Sequence, residues 1–333
     1  MTSKLTQEID ALGAKLADAK EQIAMRVIGQ ERVVELAMIA LLSGGHGLLV
    51  GAPGLAKTRL VETLGVVMGL DAKRVQFTPD LMPSDILGSE VLESGADGTR
   101  SFRFIKGPVF SQLLMADEVN RASPRTQSAL LQAMQEHRVT IAGQEFELPA
   151  PFHVLATQNP IEQEGTYPLP EAQLDRFLLQ IDVGMPDRAT ERAILEATTG
   201  AAEAVAKPVL IAAELIAAQN IVRQMPVGEA VVEAILDIVR SARPDDVNAS
   251  DTVRDLVSWG PGPRAAQALM LAVRARALVQ GNLAPSMDDV AALAAPVLVH
   301  RMALGFAARA QGADLRALIA DITAKVTGSA AAA

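Results

Sequence analysis

Cysteine is absent from this chain of 333 residues, which excludes disulfides, thiolate metal sites and a cysteine nucleophile. Long apolar runs are absent too, and no stretch is long enough to make a transmembrane segment. The first 24 residues alternate charged and apolar positions and lack the apolar core of a signal peptide. Together these absences predict a cytoplasmic protein. An excess of positive charge is also missing: the formal net charge is -9 and the pI about 5.1. An acidic chain has no general attraction for phosphate backbones, so nucleic acid is a poor candidate partner. No internal repeat is visible.

What is present describes a folded protein. Half the residues are hydrophobic and 21% are charged, and the length suits a large core domain with a smaller one. Leu5, Ile9, Leu12, Leu16 and Ile23 recur at helical spacing, and a second helix is expected over residues 31–42, stopped by Gly44-Gly45. Gly47-Leu48-Leu49-Val50 reads as a buried strand. Further strands are expected at 74–77, 113–116, 152–157 and 177–183. Helices fall between them, one running from Lys57 to about Met68 and one over 123–136 with Ser123 as cap before Pro124. Strands alternating with helices predict an α/β fold with a five-stranded parallel sheet. Two stretches, 88–106 around Gly95-Ala96-Asp97-Gly98 and 137–148 around Ala142-Gly143-Gln144, read as β-hairpin insertions. Past Met185-Pro186-Asp187 no strand signal remains. Alanine-rich helices are expected at 188–198, 213–224, 229–241, 263–280 and 286–302. The boundary near Pro186 divides an α/β core, 1–186, from a smaller all-α domain, 187–333.

Gly51-Ala52-Pro53-Gly54-Leu55-Ala56-Lys57-Thr58 leaves a strand and opens a helix, the setting of a phosphate-binding loop. Glycines let successive N–H groups point inward, and the helix start adds partial positive charge. Lys57 is placed to reach the β- and γ-phosphates of ATP, and Thr58 to ligate Mg²⁺. The glycine usual before the lysine is Ala56, which a helical backbone tolerates. Leu113-Leu114-Met115-Ala116-Asp117-Glu118 is an apolar strand ending in two carboxylates, at the end of the sheet where ligands sit. Asp117 is the candidate for holding Mg²⁺ and Glu118 for polarising the attacking water, a second carboxylate that a hydrolase needs. Asn159, at the end of the next strand in Gln158-Asn159-Pro160, is placed to contact that water or the γ-phosphate, though an Asn before Pro is also an ordinary turn residue.

Two arginines complete the constellation. Arg176, in Leu174-Asp175-Arg176-Phe177, can point toward the nucleotide of a neighbouring subunit, or form a plain salt bridge to Asp175 or Glu171. Arg264 follows Pro263 at a helix start and can reach across the interdomain cleft to the γ-phosphate, or simply be solvated there.

These elements in this order resemble the AAA+ ATPases, and more narrowly the MoxR family. The narrower resemblance rests on the phosphate loop, on Phe77-Thr78-Pro79-Asp80-Leu81-Met82-Pro83-Ser84-Asp85, on Asp117-Glu118-Val119-Asn120-Arg121-Ala122, and on Gln158-Asn159-Pro160 through Leu169-Pro170-Glu171-Ala172-Gln173-Leu174-Asp175-Arg176-Phe177. It implies a P-loop AAA+ core with a helical lid. Val27-Ile28-Gly29-Gln30 would form the adenine side of the site, and Arg59, next after Thr58, would belong to the nucleotide-binding residues too. Asn159 would be sensor 1, Arg264 sensor 2 and Arg176 the arginine finger, with Arg121 and Arg125 as other candidates for the finger. Alanine at position 56 is typical of the family, whereas the residue before Pro263 is Gly262 where the family often has Ser. The hairpins would face the pore of a homo-oligomeric, usually hexameric, ring. Family members are chaperone-like ATPases that remodel or activate protein partners, often with a von Willebrand factor A domain. The alternatives are a magnesium-chelatase-type ATPase subunit and an MCM-like nucleic-acid translocase. Basic hairpin tips would favour the last, but the tips carry Asp97 and Arg100 in one and Gln144 and Glu145 in the other.

Overall fold

Apolar residues three and four apart build α1 (Ser3–Ala24) and α2 (Glu31–Leu42) in the computed structural model, which describes residues 3–94, 100–160, 165–200 and 204–331. Ile9, Leu12, Leu16 and Ile23 of α1 are buried, as is every side chain of α2 beyond Arg32 except Glu35. The chain then enters β1 (Gly47–Gly51), α3 (Lys57–Val67), β2 (Ala72–Gln76) and the short α4 (Pro83–Leu87). An antiparallel hairpin follows, β3 (Gly88–Ser94) with β4 (Arg100–Lys106); Gly95-Ala96-Asp97-Gly98 at its expected tip lie outside the described residues. Next come β5 (Leu113–Asp117), a 3-10 turn Val119–Arg121, and α5 (Pro124–Glu136), capped by the Ser123 hydroxyl. A second hairpin pairs β6 (Arg138–Ile141) with β7 (Gln144–Glu147) across Ala142 and Gly143, both at positive φ. The α/β part ends with β8 (His153–Gln158), α6 (Glu171–Leu174) and β9 (Leu179–Val183).

The five core strands form one parallel sheet in the order β2-β5-β8-β1-β9. Side-chain alternation splits it between two cores. Leu113, Met115 and Leu155 join a large cluster with α1, α2 and α3; Leu114, Ala116 and Val154 join a smaller one with α5 and the β6–β7 hairpin. Phe104 of β4 stacks on Phe146 of β7 with centroids 4.3 Å apart, so the two hairpins lean on each other. Because every strand runs the same way, all carboxyl ends share one edge of the sheet and all amino ends the other.

The helical part runs α7 (Arg188–Thr198), α8 (Ala212–Gln224), α9 (Glu229–Ser241), α10 (Asp251–Leu256), β10 (Val257–Trp259), α11 (Pro263–Val279) and α12 (Met287–Leu298). A 3-10 turn Val299–Arg301, β11 (Ala303–Leu304), α13 (Phe306–Ala310) and α14 (Leu315–Ala331) complete it. The expected helices are present, with one correction: the helix read over 286–302 stops at Leu298 and tightens into the 3-10 turn. Pro296, inside this helix, donates no backbone hydrogen bond. The carbonyl it leaves open, that of Ala292, accepts from Arg32 of α2 instead. The sequence reading also missed α14 and the two-residue ladder of β10 with β11. Helices α8 and α11 pack on α1 and α2, and their apolar side chains belong to the same large cluster. No helix among the described residues is long and apolar enough to cross a membrane.

Candidate active site

The phosphate loop leaves β1 at its carboxyl end. Gly51 must lack a side chain because a Cβ would lie 2.5 Å from the Val183 carbonyl oxygen of β9. Gly54 sits at φ +83, a conformation glycine adopts freely. Ala56 requires a correction. Its backbone is left-handed (φ 56, ψ 20), not helical, so the alanine carries strain that a glycine would not. Lys57 is the first residue of α3, and its Nζ donates to the carbonyls of Gly51 and Ala52 at 2.7 Å each. Partial burial lowers its pKa, while the nearby Asp117 and Glu118 act in the opposite direction.

Asp117 is the last residue of β5, buried, with its two oxygens held from different strands. Oδ1 accepts from the Thr157 hydroxyl of β8 at 2.6 Å. Oδ2 accepts from Arg74 of β2, 2.5 Å from Nη2 and 3.2 Å from Nε. Glu118 follows in a left-handed conformation (φ 55, ψ 50), which turns it out of the strand. Its N–H donates to the Thr157 hydroxyl at 2.8 Å, and its Oε2 accepts from Gln76 Nε2 at 2.7 Å and Arg121 Nη1 at 2.9 Å. Arg74 also donates to Gln76 Oε1 at 3.0 Å. Both carboxylates are therefore engaged by a polar row from β2, which parallel register brings alongside by setting Gln76 opposite Asp117.

Lys57, Thr58, Arg59, Asp117, Glu118 and the buried Asn159 line one cleft of about 420 Å³. A second cleft of about 300 Å³ shares Gly54, Leu55, Ala56 and Arg59 with it and adds Ile28, Gln30, Pro186 and Ile194. Gln30 Nε2 donates to the Leu55 carbonyl at 3.1 Å, tying the adenine-side segment to the phosphate loop. Gly29 (φ +71) passes so close to α7 that a Cβ would lie 2.0 Å from the Thr190 methyl. The two clefts form a trough with an apolar end and a charged end, matching a nucleotide's base and phosphates. The fit extends to a divalent cation: a hydroxyl and a carboxylate converge beside the loop, and Mg²⁺ is commonly held by one or two such oxygens plus phosphates.

The sequence reading missed Arg74, Gln76 and Thr157. Arg74-Val75-Gln76 alternates polar and apolar residues, which puts both polar side chains on one face of the strand but does not say what they meet. Arg121, read as another candidate for a finger, instead contacts Glu118 of its own chain.

Arg176 and Arg264 line neither cleft. They meet in a third cleft of about 450 Å³, with His46, His137, Asp175 and Arg301. Arg176 precedes β9 and His46 precedes β1, so this cleft lies at the amino edge of the sheet, opposite the phosphate loop. The four steps from Gly47 to Gly51 separate the two edges by roughly 13 Å, at about 3.3 Å per residue. The expected reach of Arg264 to its own γ-phosphate is thus corrected. Helix α11 packs against α2, and the Arg264 Nη1 lies 3.7 Å from Asp175 Oδ2.

Comparison with known proteins bears on this arrangement. The family described as "ATPase family associated with various cellular activities (AAA)" matches residues 46–179, and an AAA lid domain matches residues 250–322. Chaperone MoxR1 of Mycobacterium tuberculosis is 41% identical over 92% of this chain and 79% of its own. Protein MoxR of Paracoccus denitrificans is 31% identical over 87% and 89%. A crystal structure of an assigned ATPase from Cytophaga hutchinsonii superposes with a TM-score of 0.87, at 35% identity, covering 95% of each chain. With a nucleotide-shaped trough, a phosphate loop and paired carboxylates in place, these likenesses over most of its length make the chain a member of the MoxR family of AAA+ ATPases, and its reaction the hydrolysis of ATP.

Proposed function

We propose that the chain is a subunit of a ring-forming motor in which ATP hydrolysis drives the remodelling or activation of a protein partner. The observation that carries this reading is the placement of Arg176 and Arg264 together, at the sheet edge opposite Lys57. From there neither cation serves the nucleotide of its own subunit. Head-to-tail packing of identical subunits lays one edge against the other, so each site is completed by its neighbour's arginines, and such packing closes naturally into a ring. A hexamer is the size the family resemblance favours. We assign residues 1–186 to the nucleotide-binding core and 187–333 to the lid.

In this reading Lys57 exchanges the Gly51 and Ala52 carbonyls for the phosphates of ATP. Thr58 and Asp117 would hold Mg²⁺, which would offset negative charge on the phosphates. Glu118 leaves Gln76 and Arg121 and polarises the attacking water, which Asn159 orients. Arg176 and Arg264 of the adjacent subunit stabilise the charge that develops in transfer. The trough beside Ile28, Gly29 and Gln30 takes the base.

For the partner, a protein is favoured over nucleic acid by Leu92 and Phe102, paired across β3 and β4 and both exposed. An apolar strip suits a protein surface better than a phosphate backbone. A relative named as a chaperone supports the same direction, and a von Willebrand factor A protein is the partner the resemblance suggests. Dilution tests the shared site: turnover per subunit is expected to fall as the assembly dissociates, and constant turnover in isolated monomers contradicts it. Stimulation by DNA would favour the translocase alternative.

A further inference from the structure

Arg301 of the lid is buried at 2% exposure, and its guanidinium is spent almost entirely on the short segment that carries Arg176. Nε donates to Asp175 Oδ1 at 2.7 Å. Nη2 donates to the carbonyls of Asp175 at 3.3 Å and Phe177 at 2.7 Å, and Nη1 to those of Leu178 at 3.1 Å and Val297 at 2.6 Å. The neighbouring His300 Nε2 donates to the same Phe177 carbonyl at 2.9 Å. Carbonyls on both sides of Arg176 thus converge on one planar fork. A guanidinium presents its donors in fixed directions, so the fork dictates the path of residues 175–178 where a solvated loop would choose among several.

The same contact reaches the second arginine. Asp175 gives one carboxylate oxygen to Arg301 and turns the other toward Arg264, 3.7 Å away. Arg301 itself stands in the 3-10 turn Val299–Arg301 that follows α12, so its place is set by the lid. Burying a cation is costly unless its donors are met, and here the acceptors that meet them are the backbone of a candidate catalytic loop.

We propose that Arg301 is a positioning residue: it holds Arg176 directly, and Arg264 through Asp175, in the geometry presented to a neighbour's nucleotide. The proposal rests on the reading that these arginines act in trans. It makes the lid the template for the finger, so a lid displacement in one subunit changes turnover in the next. A simple staple between lid and core would share the contacts but not that consequence.

The test mixes subunits. Arg301→Lys keeps the charge but cannot reproduce the fork, and Asp175→Asn keeps an acceptor while weakening the link to both arginines. In homomeric assemblies each is expected to lower kcat by about 10²-fold, the scale of a misplacement near 1 Å, with KM for ATP changed less than about two-fold. Mixing with Lys57→Ala subunits, whose arginines are intact, is expected to restore turnover, because the damaged subunit still owns a sound nucleotide cleft. Arg176→Ala mixed with Lys57→Ala serves as the control. If the control is not rescued, the trans reading fails and the proposal with it. If the control is rescued while both Arg301→Lys and Asp175→Asn remain inactive in the mixture, or if either keeps full turnover alone, the trans reading stands and the role of Arg301 is overturned.

Discussion

Arg74 grips Asp117 from the adjacent strand, with Nη2 2.5 Å and Nε 3.2 Å from the same carboxylate oxygen. Asp117 is also the residue proposed above to hold a magnesium ion. A guanidinium and a cation cannot share one carboxylate oxygen closely, so Arg74 is a competitor for the metal. Because Arg74 is half-exposed, its hold is screened by water and should be displaceable. Arg74→Gln is therefore expected to lower the Mg²⁺ concentration needed for half-maximal binding of a fluorescent nucleotide, by several-fold. A higher requirement would show that Arg74 instead orients Asp117 for the metal.

Glu118 is engaged by Gln76 and Arg121, whereas Lys57 donates to the carbonyls of Gly51 and Ala52. Glu118→Gln is expected to leave ATP binding within about two-fold and slow turnover by about 10² to 10⁴, the range for a lost general base. Undiminished turnover would remove Glu118 from the chemistry.

The left-handed Ala56 makes a stability prediction. Glycine relieves about 1 to 2 kcal/mol of backbone strain there but frees the unfolded chain by about 0.4 to 1 kcal/mol. Ala56→Gly should thus gain between about 0 and about 1.6 kcal/mol in urea unfolding. A loss would indicate that the methyl group packs favourably in the loop.

The amino edge of the sheet predicts acid sensitivity. Burial pushes His46 down to about 3 and His153 down to about 4, from 6.5. Each uses both ring nitrogens while neutral: His46 donates to the Met134 carbonyl and accepts from the Val154 N–H, and His153 donates to the Gly45 carbonyl and accepts from Gln219. Their folded pKa values lie below the unfolded one, so the unfolded chain binds more protons between about 4 and 6.5. Stability is complete above 6.5 and falls as pH drops through that window, by up to about 1.4 kcal/mol per pH unit for each histidine. Urea melts at about pH 7.5 and about pH 5 should show the loss, and His153→Gln should make it shallower. Equal stability at both values would contradict the buried neutral histidines.

Much of this is legible in the sequence alone. Apolar runs such as Leu113-Leu114-Met115-Ala116 announce buried parallel strands, and Lys57, Asp117, Glu118 and Asn159 do line one cleft. The partners of the carboxylates were not legible, because Arg74 and Gln76 reach them only through the register of β2 on β5. Arg264 was misplaced for a related reason. Local sequence sets it at a helix start, but which edge of the sheet that helix faces depends on the packing of α11 against α2. The run Leu315, Leu318, Ile319 and Ile322 carried a helical signal that went unread.

The central claim is that one subunit completes the active site of the next. Its most direct test is ATPase turnover in mixtures of Arg176→Ala and Lys57→Ala subunits, each close to inactive alone. The account predicts that activity appears on mixing and peaks at intermediate ratios, where an intact Lys57 cleft meets an intact Arg176. Mixed assemblies that form normally but stay inactive at every ratio would contradict it.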